Sequence, residues 1–341
     1  MIPEFMQAAV FEGEGKLSLK KVPVPQLKRE DQVLLKVEAV SICGTDVHIV
    51  TVPPGYIATP NTILGHEFAA TVIDKGSAVT HLEIGDHVVV NPNDYCGNCT
   101  YCRKNLPNQC ENIIALGIHS NGAFAEYCRV SDKVAYKIDK SVPVEQAAFA
   151  EPLACVINGT QKVRLQPGET AAVIGGGPIG LLMAMMLKAS GAGKIFLAER
   201  SPYRLEVARR LNLGRVVDIS KESLSDVVKE ETAIGVDVVA DMVGSRLTEA
   251  IDVVRKDGKV VVFGVNIRAT AEFPQSLITF KELQVYGTWL ANATFPEAVR
   301  VLESGLLDIN TLISAVIPLS EVHHGIERLA KGEAVKVIVK P

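Results

Sequence analysis

The chain has 341 residues, more than one ordinary hydrophobic core accommodates, so its length favours two domains. Hydrophobic residues make up 48% and charged residues 22%, as in a globular enzyme, and the formal net charge is −4. Because this charge provides no concentrated basic surface, the composition argues against a nucleic-acid partner and against an anionic membrane surface.

The N-terminal residues show no cationic start followed by an apolar stretch, so no signal peptide is predicted. The 7 cysteines are unevenly placed, with four clustered between positions 96 and 110. Such clustering in a long chain favours metal ligation in a reducing compartment over a disulfide framework. The expected location is the cytoplasm.

The first third of the chain has the pattern of short strands separated by turns. Strand-like runs cover residues 33–37, 68–73 and 87–90, and the pairs Gly85-Asp86 and Asn91-Pro92 punctuate the last of them. The pattern predicts a largely antiparallel β domain.

Two segments of this domain are rich in potential metal ligands and proton carriers. The first reads Cys43-Gly-Thr45-Asp46-Val-His48, and the second reads Gly-His66-Glu67. Taken singly, a buried cysteine is usually a small hydrophobe and a histidine usually packs or forms hydrogen bonds. The two segments become informative only in combination with other motifs.

Four cysteines with short spacing follow, namely Cys96, Cys99, Cys102 and Cys110. Four thiolates this close together can surround one tetrahedral Zn²⁺ without leaving an open position, which is typical of a structural site. An iron–sulfur cluster is the competing interpretation, since such clusters also take four thiolates.

From about residue 166 strands alternate with amphipathic helices. The pattern predicts strands at 171–174, 194–198, 236–240 and 259–263 and helices at 179–190, 202–211 and 247–254. The apolar run 171–187 approaches membrane-spanning length, but its glycines and Pro178 favour a strand, a turn and a helix. Such alternation predicts a parallel sheet covered by helices on both faces.

A glycine-rich turn joins the first of these strands to its helix. It contains G-x-G-x-x-G, formed by Gly175, Gly177 and Gly180 with Pro178 and Ile179 between them. Glu199 ends the next strand about twenty residues on, which completes the dinucleotide-binding fingerprint. Its carboxylate would bind the adenosine ribose and repel a 2′-phosphate, which favours NAD over NADP.

Other candidate cofactor contacts lie nearby. Arg200 argues for NADP instead, because an arginine there can accommodate a 2′-phosphate. Arg204 is a further candidate for binding the cofactor. The turn at Gly264 and Val265 ends a later strand and is either a nicotinamide contact or an ordinary loop. The tail predicts a helix at 296–303 and a final strand at 335–339 that pairs back into the first domain.

The motifs, together with Gly122-x-Phe124-Ala-Glu-Tyr and Glu151-Pro-Leu, occur in an order that resembles the zinc-containing medium-chain dehydrogenase/reductase family. The likeness runs from residue 6 to the C-terminus and points to the sorbitol/polyol and threonine branch. It implies an α/β fold of two domains. A GroES-like β-rich catalytic domain would span residues 1–155, with a structural zinc lobe at about 93–112, and would be completed by 295–341. A Rossmann NAD-binding domain would span 156–294.

The resemblance also implies residue roles. Cys43 and His66 match the catalytic zinc ligands, and Glu151 matches the third protein position of the sorbitol and threonine branch. Glu67 matches a carboxylate that ligates zinc directly or lies behind the ligands, so either glutamate could be the third ligand. Thr45 and His48 match a proton relay from the substrate hydroxyl to solvent, and Asp46 would orient the His66 ring.

The implied enzyme binds two Zn²⁺ per chain and transfers hydride between a small alcohol and NAD(H). After the strand ending near residue 286, the threonine branch usually has Gly-Arg, whereas this chain has Gly-Thr-Trp289-Leu-Ala-Asn292. The missing arginine favours a polyol, diol or secondary alcohol over L-threonine, whose carboxylate calls for a cation. Trp289 and Asn292 would suit the pocket, although Trp289 could equally pack at an interface.

A non-catalytic NAD-binding module is the remaining alternative. A homo-tetramer is expected, with a homo-dimer as the alternative.

Overall fold

The structure is a computed structural model that describes residues 2–341, and its contacts divide the chain into two units. The first unit comprises the chain up to Ala154 together with Ala291–Gly305 and Ile313–Pro341. The second unit comprises Cys155–Leu290 and Leu306–Leu312.

The described residues form eighteen strands and eleven α-helices. The strands are β1 (Phe5–Gly13), β2 (Lys16–Pro23), β3 (Gln32–Ser41), β4 (Thr62–Ile63), β5 (Glu67–Lys75), β6 (His87–Val90), β7 (Asn93–Asp94), β8 (Ile114–Ala115), β9 (Tyr127–Ser131), β10 (Ala135–Lys137), β11 (Thr170–Ile174), β12 (Lys194–Glu199), β13 (Arg215–Asp218), β14 (Val236–Asp241), β15 (Val254–Val262), β16 (Gln284–Gly287), β17 (Ile313–Pro318) and β18 (Lys336–Lys340). The helices are α1 (Gly44–Val50), α2 (Thr100–Arg103), α3 (Val144–Ala147), α4 (Ala150–Val163), α5 (Pro178–Ala189), α6 (Pro202–Leu211), α7 (Leu224–Thr232), α8 (Leu247–Val253), α9 (Ser276–Phe280), α10 (Phe295–Glu303) and α11 (Val322–Ala330).

The first unit is built on a seven-stranded sheet in the order β10-β6-β5-β3-β18-β17, with β9 also paired to β3. All of its pairs are antiparallel except β17 with β18. A three-stranded sheet β2-β1-β4 and the small pair β7-β8 complete it. The predicted β-rich domain is confirmed, and so is the return of the last strand, because Val339 of β18 pairs with Val40 of β3.

The second unit contains a six-stranded parallel sheet in the order β13-β12-β11-β14-β15-β16. Chain order reverses at β11, since β12 lies on one side of it and β14 on the other. The predicted doubly wound parallel sheet is therefore confirmed. In sheets of this kind, ligands bind outside the carboxyl ends of the strands at that reversal.

Local sequence explains where the helices of this sheet begin. α5 starts with Pro178 at a position where the missing N–H costs nothing, directly after the glycine turn. Ser201 caps α6 and Ser223 caps α7, each by accepting a backbone N–H three residues ahead. β13 and α7 were not predicted, because a four-residue strand and a nine-residue helix with several charged residues give only a weak hydrophobic periodicity.

Among residues 2–341, no helix is both long enough and apolar enough to cross a membrane. The apolar run 171–187 folds as predicted into β11, the glycine turn and α5. Eight residues of α5 are buried, so its apolar character is used for packing within the second unit.

Candidate functional site

Four cysteine sulfurs converge in the lobe between β7 and β8. The Sγ atoms of Cys96, Cys99, Cys102 and Cys110 lie within 4.8 Å of one another, and four of the pairs are 3.5–4.0 Å apart. Sulfurs bound to one tetrahedral Zn²⁺ at ~2.3 Å would be about 3.8 Å apart. A multi-iron cluster would hold its thiolates farther apart, because several iron atoms lie between them. The geometry fits a single zinc ion.

Backbone amides in this lobe favour the thiolate form of two of the cysteines. N–H groups of Asn98 and Cys99 lower the pKa of Cys96 to about 6, and N–H groups of Cys102 and Glu111 lower the pKa of Cys99. Burial and the neighbouring Cys99 raise the pKa of Cys102 to about 12. Because thiolates are the metal-binding form, the lobe is prepared for a cation that deprotonates the remaining thiols.

A second group of donor atoms lies in the first unit, where Cys43, His66 and Glu67 bring one atom each within 4.8 Å of the others. The sheet register creates this proximity, because Ser41 at the end of β3 pairs with Glu67 at the start of β5. Just before His66, Gly65 has a φ of +86°, and a side chain there would meet Phe124 at 2.8 Å. Only glycine allows this approach.

His66 is buried and faces the buried Asp46. The Nδ1 of His66 is 3.6 Å from the Oδ1 of Asp46, and neither atom has a hydrogen-bond partner among the described residues. Asp46 is fixed in turn, because its Oδ2 accepts the N–H of Cys43 at 2.9 Å. Burial alone would lower the pKa of His66, but Asp46 and Cys43 outweigh it and raise that pKa well above its usual value. With Nδ1 facing Asp46, the imidazole has Nε2 left for a metal, the arrangement usual for zinc histidines.

Glu67 is fully buried, and its two carboxylate oxygens have different surroundings. Oε2 accepts hydrogen bonds from the Ser41 hydroxyl and from the Lys336 ammonium. Oε1 has no hydrogen-bond partner among the described residues. A buried carboxylate oxygen without a partner is costly, and a cation held with Cys43 and His66 would satisfy it.

Glu151 lies in the first turn of α4 and is buried. Its carboxylate does not join the three donor atoms within 4.8 Å of one another, although its charge is close enough to raise the pKa of Lys336. Of the two glutamates named as candidates for the third ligand, the structure therefore brings Glu67 nearer to Cys43 and His66.

Two further candidates lie on α1, which begins directly after Cys43. The Oγ1 of Thr45 is 3.6 Å from the Sγ of Cys43, and His48 lies one turn further on the same helix face and is exposed to solvent. One hydroxyl thus lies beside the donor atoms and one imidazole reaches water.

In the second unit the predicted glycine turn lies between β11 and α5. Gly175 has a φ of +104°, and a side chain on Gly180 would stand 1.8 Å from the carbonyl oxygen of Gly175. Both positions therefore require glycine. The turn leaves the N-terminal amides of α5 directed outward, where a pyrophosphate can be bound.

Glu199 ends β12 and is held against this turn. Its carboxylate accepts the N–H of Gly176 at 2.9 Å, of Arg200 at 2.7 Å and of Ser201 at 2.9 Å. Arg204 approaches from α6, since a Cβ on Gly177 would lie 3.7 Å from its Nη1. Burial lowers the pKa of Arg204, and the nearby Glu199 opposes that shift. The structure thus brings these predicted contacts together around the glycine turn.

A pocket of about 350 Å³ lies at the carboxyl ends of β12, β13 and β14. Arg200 and Arg246 line it, together with Ser220 and Leu224. Arg246, Ser220 and Leu224 were not predicted as site residues. The sequence feature that points to this loop is Asp241 at the end of β14. Its carboxylate accepts the N–H groups of residues 243, 244 and 246 and so fixes the loop that carries Arg246.

The remaining predicted positions lie in two loops. Gly264 packs so closely that an added Cβ would stand 2.3 Å from the N of Gly244, and Val265 beside it is 53% exposed. Trp289 is 38% exposed, and its carbonyl and that of Leu290 accept hydrogen bonds from Asn158. In the first unit, the buried Oδ1 of Asn292 has no partner among residues 2–341. These loops have the exposure and the polar capacity of binding segments.

Comparison with known proteins agrees with this geometry. The family profile described as "Alcohol dehydrogenase GroES-like domain" matches residues 29–140, and the profile "Zinc-binding dehydrogenase" matches residues 178–304. The chain is 32% identical to a sorbitol dehydrogenase of Bacillus subtilis over 100% of this chain and 98% of that protein. It is 33% identical to an L-threonine 3-dehydrogenase of Caldanaerobacter subterraneus over 97% of each. An NADP-bound structure from Sinorhizobium meliloti, described as that of a zinc-binding dehydrogenase, has 33% identity and a TM-score of 0.92 and covers 99% of this chain and 100% of its own.

Proposed function

The chain belongs to the zinc-containing medium-chain dehydrogenase/reductase family, as its motifs indicated, and we propose that it transfers hydride between a polyol, diol or secondary alcohol and NAD(H). The observation that carries this proposal is the donor set of half-buried Cys43 with buried His66 and Glu67. Three protein donors leave a zinc ion one position for a substrate oxygen.

The proposed roles follow from the surroundings of each side chain. Bound zinc would supply a Lewis acid that lowers the pKa of the substrate hydroxyl. Asp46 faces the ring of His66, and burial of His66 and Glu67 keeps bulk water from their donor atoms. The Thr45 hydroxyl would accept the proton of the substrate hydroxyl while passing its own proton on toward the exposed imidazole of His48, which would deliver a proton to solvent.

The substrate class rests on the segment that follows β16. It contains no arginine, whereas a threonine substrate would need a cation for its carboxylate. In the first unit, the unpartnered Oδ1 of Asn292 can accept a hydrogen bond from a hydroxyl. An uncharged alcohol with more than one hydroxyl suits such a segment better than an amino acid. L-threonine remains the second candidate, because a threonine dehydrogenase is among the similar proteins.

The experiment is NAD⁺ reduction measured with sorbitol, xylitol, 2,3-butanediol, 2-propanol and L-threonine. We expect turnover of a polyol, diol or secondary alcohol and little turnover of threonine. Threonine as the preferred substrate would contradict the argument from the missing arginine. A protein that binds NAD⁺ and zinc but oxidises none of these compounds would favour the non-catalytic module.

We further propose that NAD(H) is preferred over NADP(H), because the fixed negative charge of Glu199 would face the adenosine ribose. The change Glu199→Gln removes that charge and is expected to raise the ratio of kcat/KM for NADP⁺ to that for NAD⁺ by about 10-fold or more, ~1.4 kcal/mol. Glu206→Gln, on the exposed face of α6, is the matched control. An unchanged ratio in Glu199→Gln would show that other residues, such as Arg200, determine cofactor choice.

We also propose that the chain forms a homo-oligomer, either a tetramer or a dimer. β16 is an edge strand that pairs only with β15 among the described strands. Val285 in it, Phe280 before it and Trp289 after it are exposed. The unpaired backbone groups of an edge strand can pair with another chain. For the compartment, we propose the cytoplasm, because the 7 cysteines are all free and the proposed zinc sites need reduced thiols.

A further inference from the structure

Lys336 is an unusual residue for the interior of the first unit. It begins β18, its side chain is 1% exposed, and its ammonium donates to the carbonyl of Ile42 at 3.2 Å and to the Oε2 of Glu67. Lysines are almost never fully buried unless they are paired. Burial alone would lower the pKa of Lys336, but Glu67 and Cys43 outweigh it and raise that pKa.

The partner of this lysine is held from one side only. Ser41 and Lys336 both donate to Oε2 of Glu67, while Oε1 is buried and has no partner among the described residues. A carboxylate can bind a metal through one oxygen or through both. With Oε2 engaged by two donors, Oε1 is the atom left for a metal.

We propose that Lys336 is a positioning residue for the catalytic metal: it holds Glu67 by Oε2, so that Glu67 offers zinc one oxygen and a coordination position stays open for substrate. The inference rests on the proposed zinc site of Cys43, His66 and Glu67. It adds a residue that contacts neither zinc nor substrate and that determines how many donor atoms the protein supplies.

The charges around the site support this role. The Lys336 ammonium is paired with the buried carboxylate of Glu67, and the carboxylate of Glu151 is close enough to raise the pKa of Lys336. A neutral side chain at position 336 would leave Oε2 with the Ser41 hydroxyl as its one donor and would remove its positive neighbour. Both oxygens of Glu67 could then turn toward a divalent cation and occupy the position that substrate needs.

The test uses Co²⁺ in place of Zn²⁺, because the visible bands of cobalt report its coordination number. The bands of this site are defined as the difference between the wild-type protein and Cys43→Ser, which removes the contribution of the four-cysteine site. In Lys336→Met we expect these bands to lose about half of their intensity or more, as tetrahedral cobalt gains a ligand. The zinc form of Lys336→Met should keep two zinc ions per chain but lose about 10-fold in kcat.

Two further variants keep the test decisive. Lys340→Met, on the same strand and paired with Glu145 at the surface, should leave the bands unchanged. Ser41→Ala removes the other donor to Oε2 but retains the buried ammonium, so it should change the bands in the same direction by a smaller amount even if Lys336→Met fails to fold.

The outcomes separate the inference from the proposed function. If the wild-type protein shows no Cys43-dependent bands, the proposed metal site is wrong and the inference with it. If those bands are present but unchanged in both Lys336→Met and Ser41→Ala, the lysine is only a structural ion pair and the inference is overturned. A lower melting temperature with unchanged bands has the same meaning.

Discussion

The change Cys43→Ser is expected to lower kcat/KM for the alcohol by about 10³-fold, ~4 kcal/mol, without a comparable loss of stability. A serine hydroxyl is a much weaker zinc ligand than a thiolate, so the donor set would lose the catalytic ion. We expect the zinc content to fall from two ions per chain to one. Steady-state kinetics together with metal analysis of the same preparation would measure both effects.

The matched control is Cys128→Ala. Cys128 is buried in the core of the same unit, its pKa is raised to about 12 by burial, and it belongs to neither donor cluster. Its replacement should keep two zinc ions and near wild-type turnover, with a modest loss of stability from the small cavity. If Cys43→Ser retained substantial activity, zinc chemistry at this cluster would be excluded.

Replacing Cys110 by serine is expected to have the opposite profile. Its Sγ lies 3.5 Å from that of Cys96 and accepts the N–H of Asn112, so the change removes one corner of the four-cysteine site. Regular structure in the lobe between β7 and β8 is limited to the four residues of α2 and one three-residue helical turn at Pro107–Gln109, so its fold depends strongly on the zinc ion. We expect about 3–5 kcal/mol lower stability, since structural zinc contributes directly to folding. The melting temperature would fall by about 10 °C.

Activity distinguishes the two sites. Below its melting temperature, Cys110→Ser should retain most of its kcat and one zinc ion per chain, because Cys43, His66 and Glu67 are unaltered. Thermal unfolding followed by circular dichroism, with kinetics at low temperature, would show this. Loss of kcat equal to that of Cys43→Ser, at a temperature where the variant is folded, would mean that the four-cysteine site is not merely structural.

Sequence patterns were sufficient for the parts of the site whose chemistry depends on residue type and spacing. Few other sites need four cysteines within fifteen positions, or a glycine turn followed by Glu199. These two patterns therefore predict a metal site and a dinucleotide site directly from the sequence. Cys43 and His66 lie far enough apart that only the family resemblance paired them. The register of β3 with β5 is the physical reason that they meet.

Other parts of the site depend on tertiary packing and left almost no local trace. Lys336 is one of two lysines in an otherwise apolar terminal strand, and such a lysine is usually exposed at an edge. Only the pairing of β18 with β3 shows that it is enclosed beside Glu67. Arg246 was overlooked for a similar reason, since its pocket is formed by three strand ends that are distant along the chain.

The central claim is that hydride transfer requires a zinc ion held by Cys43, His66 and Glu67. The most direct measurement is a titration of the metal-free protein with Zn²⁺, in which NAD⁺ reduction by the best alcohol is recorded at each step. Four thiolates should take up the first ion, so we expect little activity up to one zinc per chain and a linear rise between one and two. Full turnover at one zinc per chain, or activity in the metal-free protein, would contradict this account.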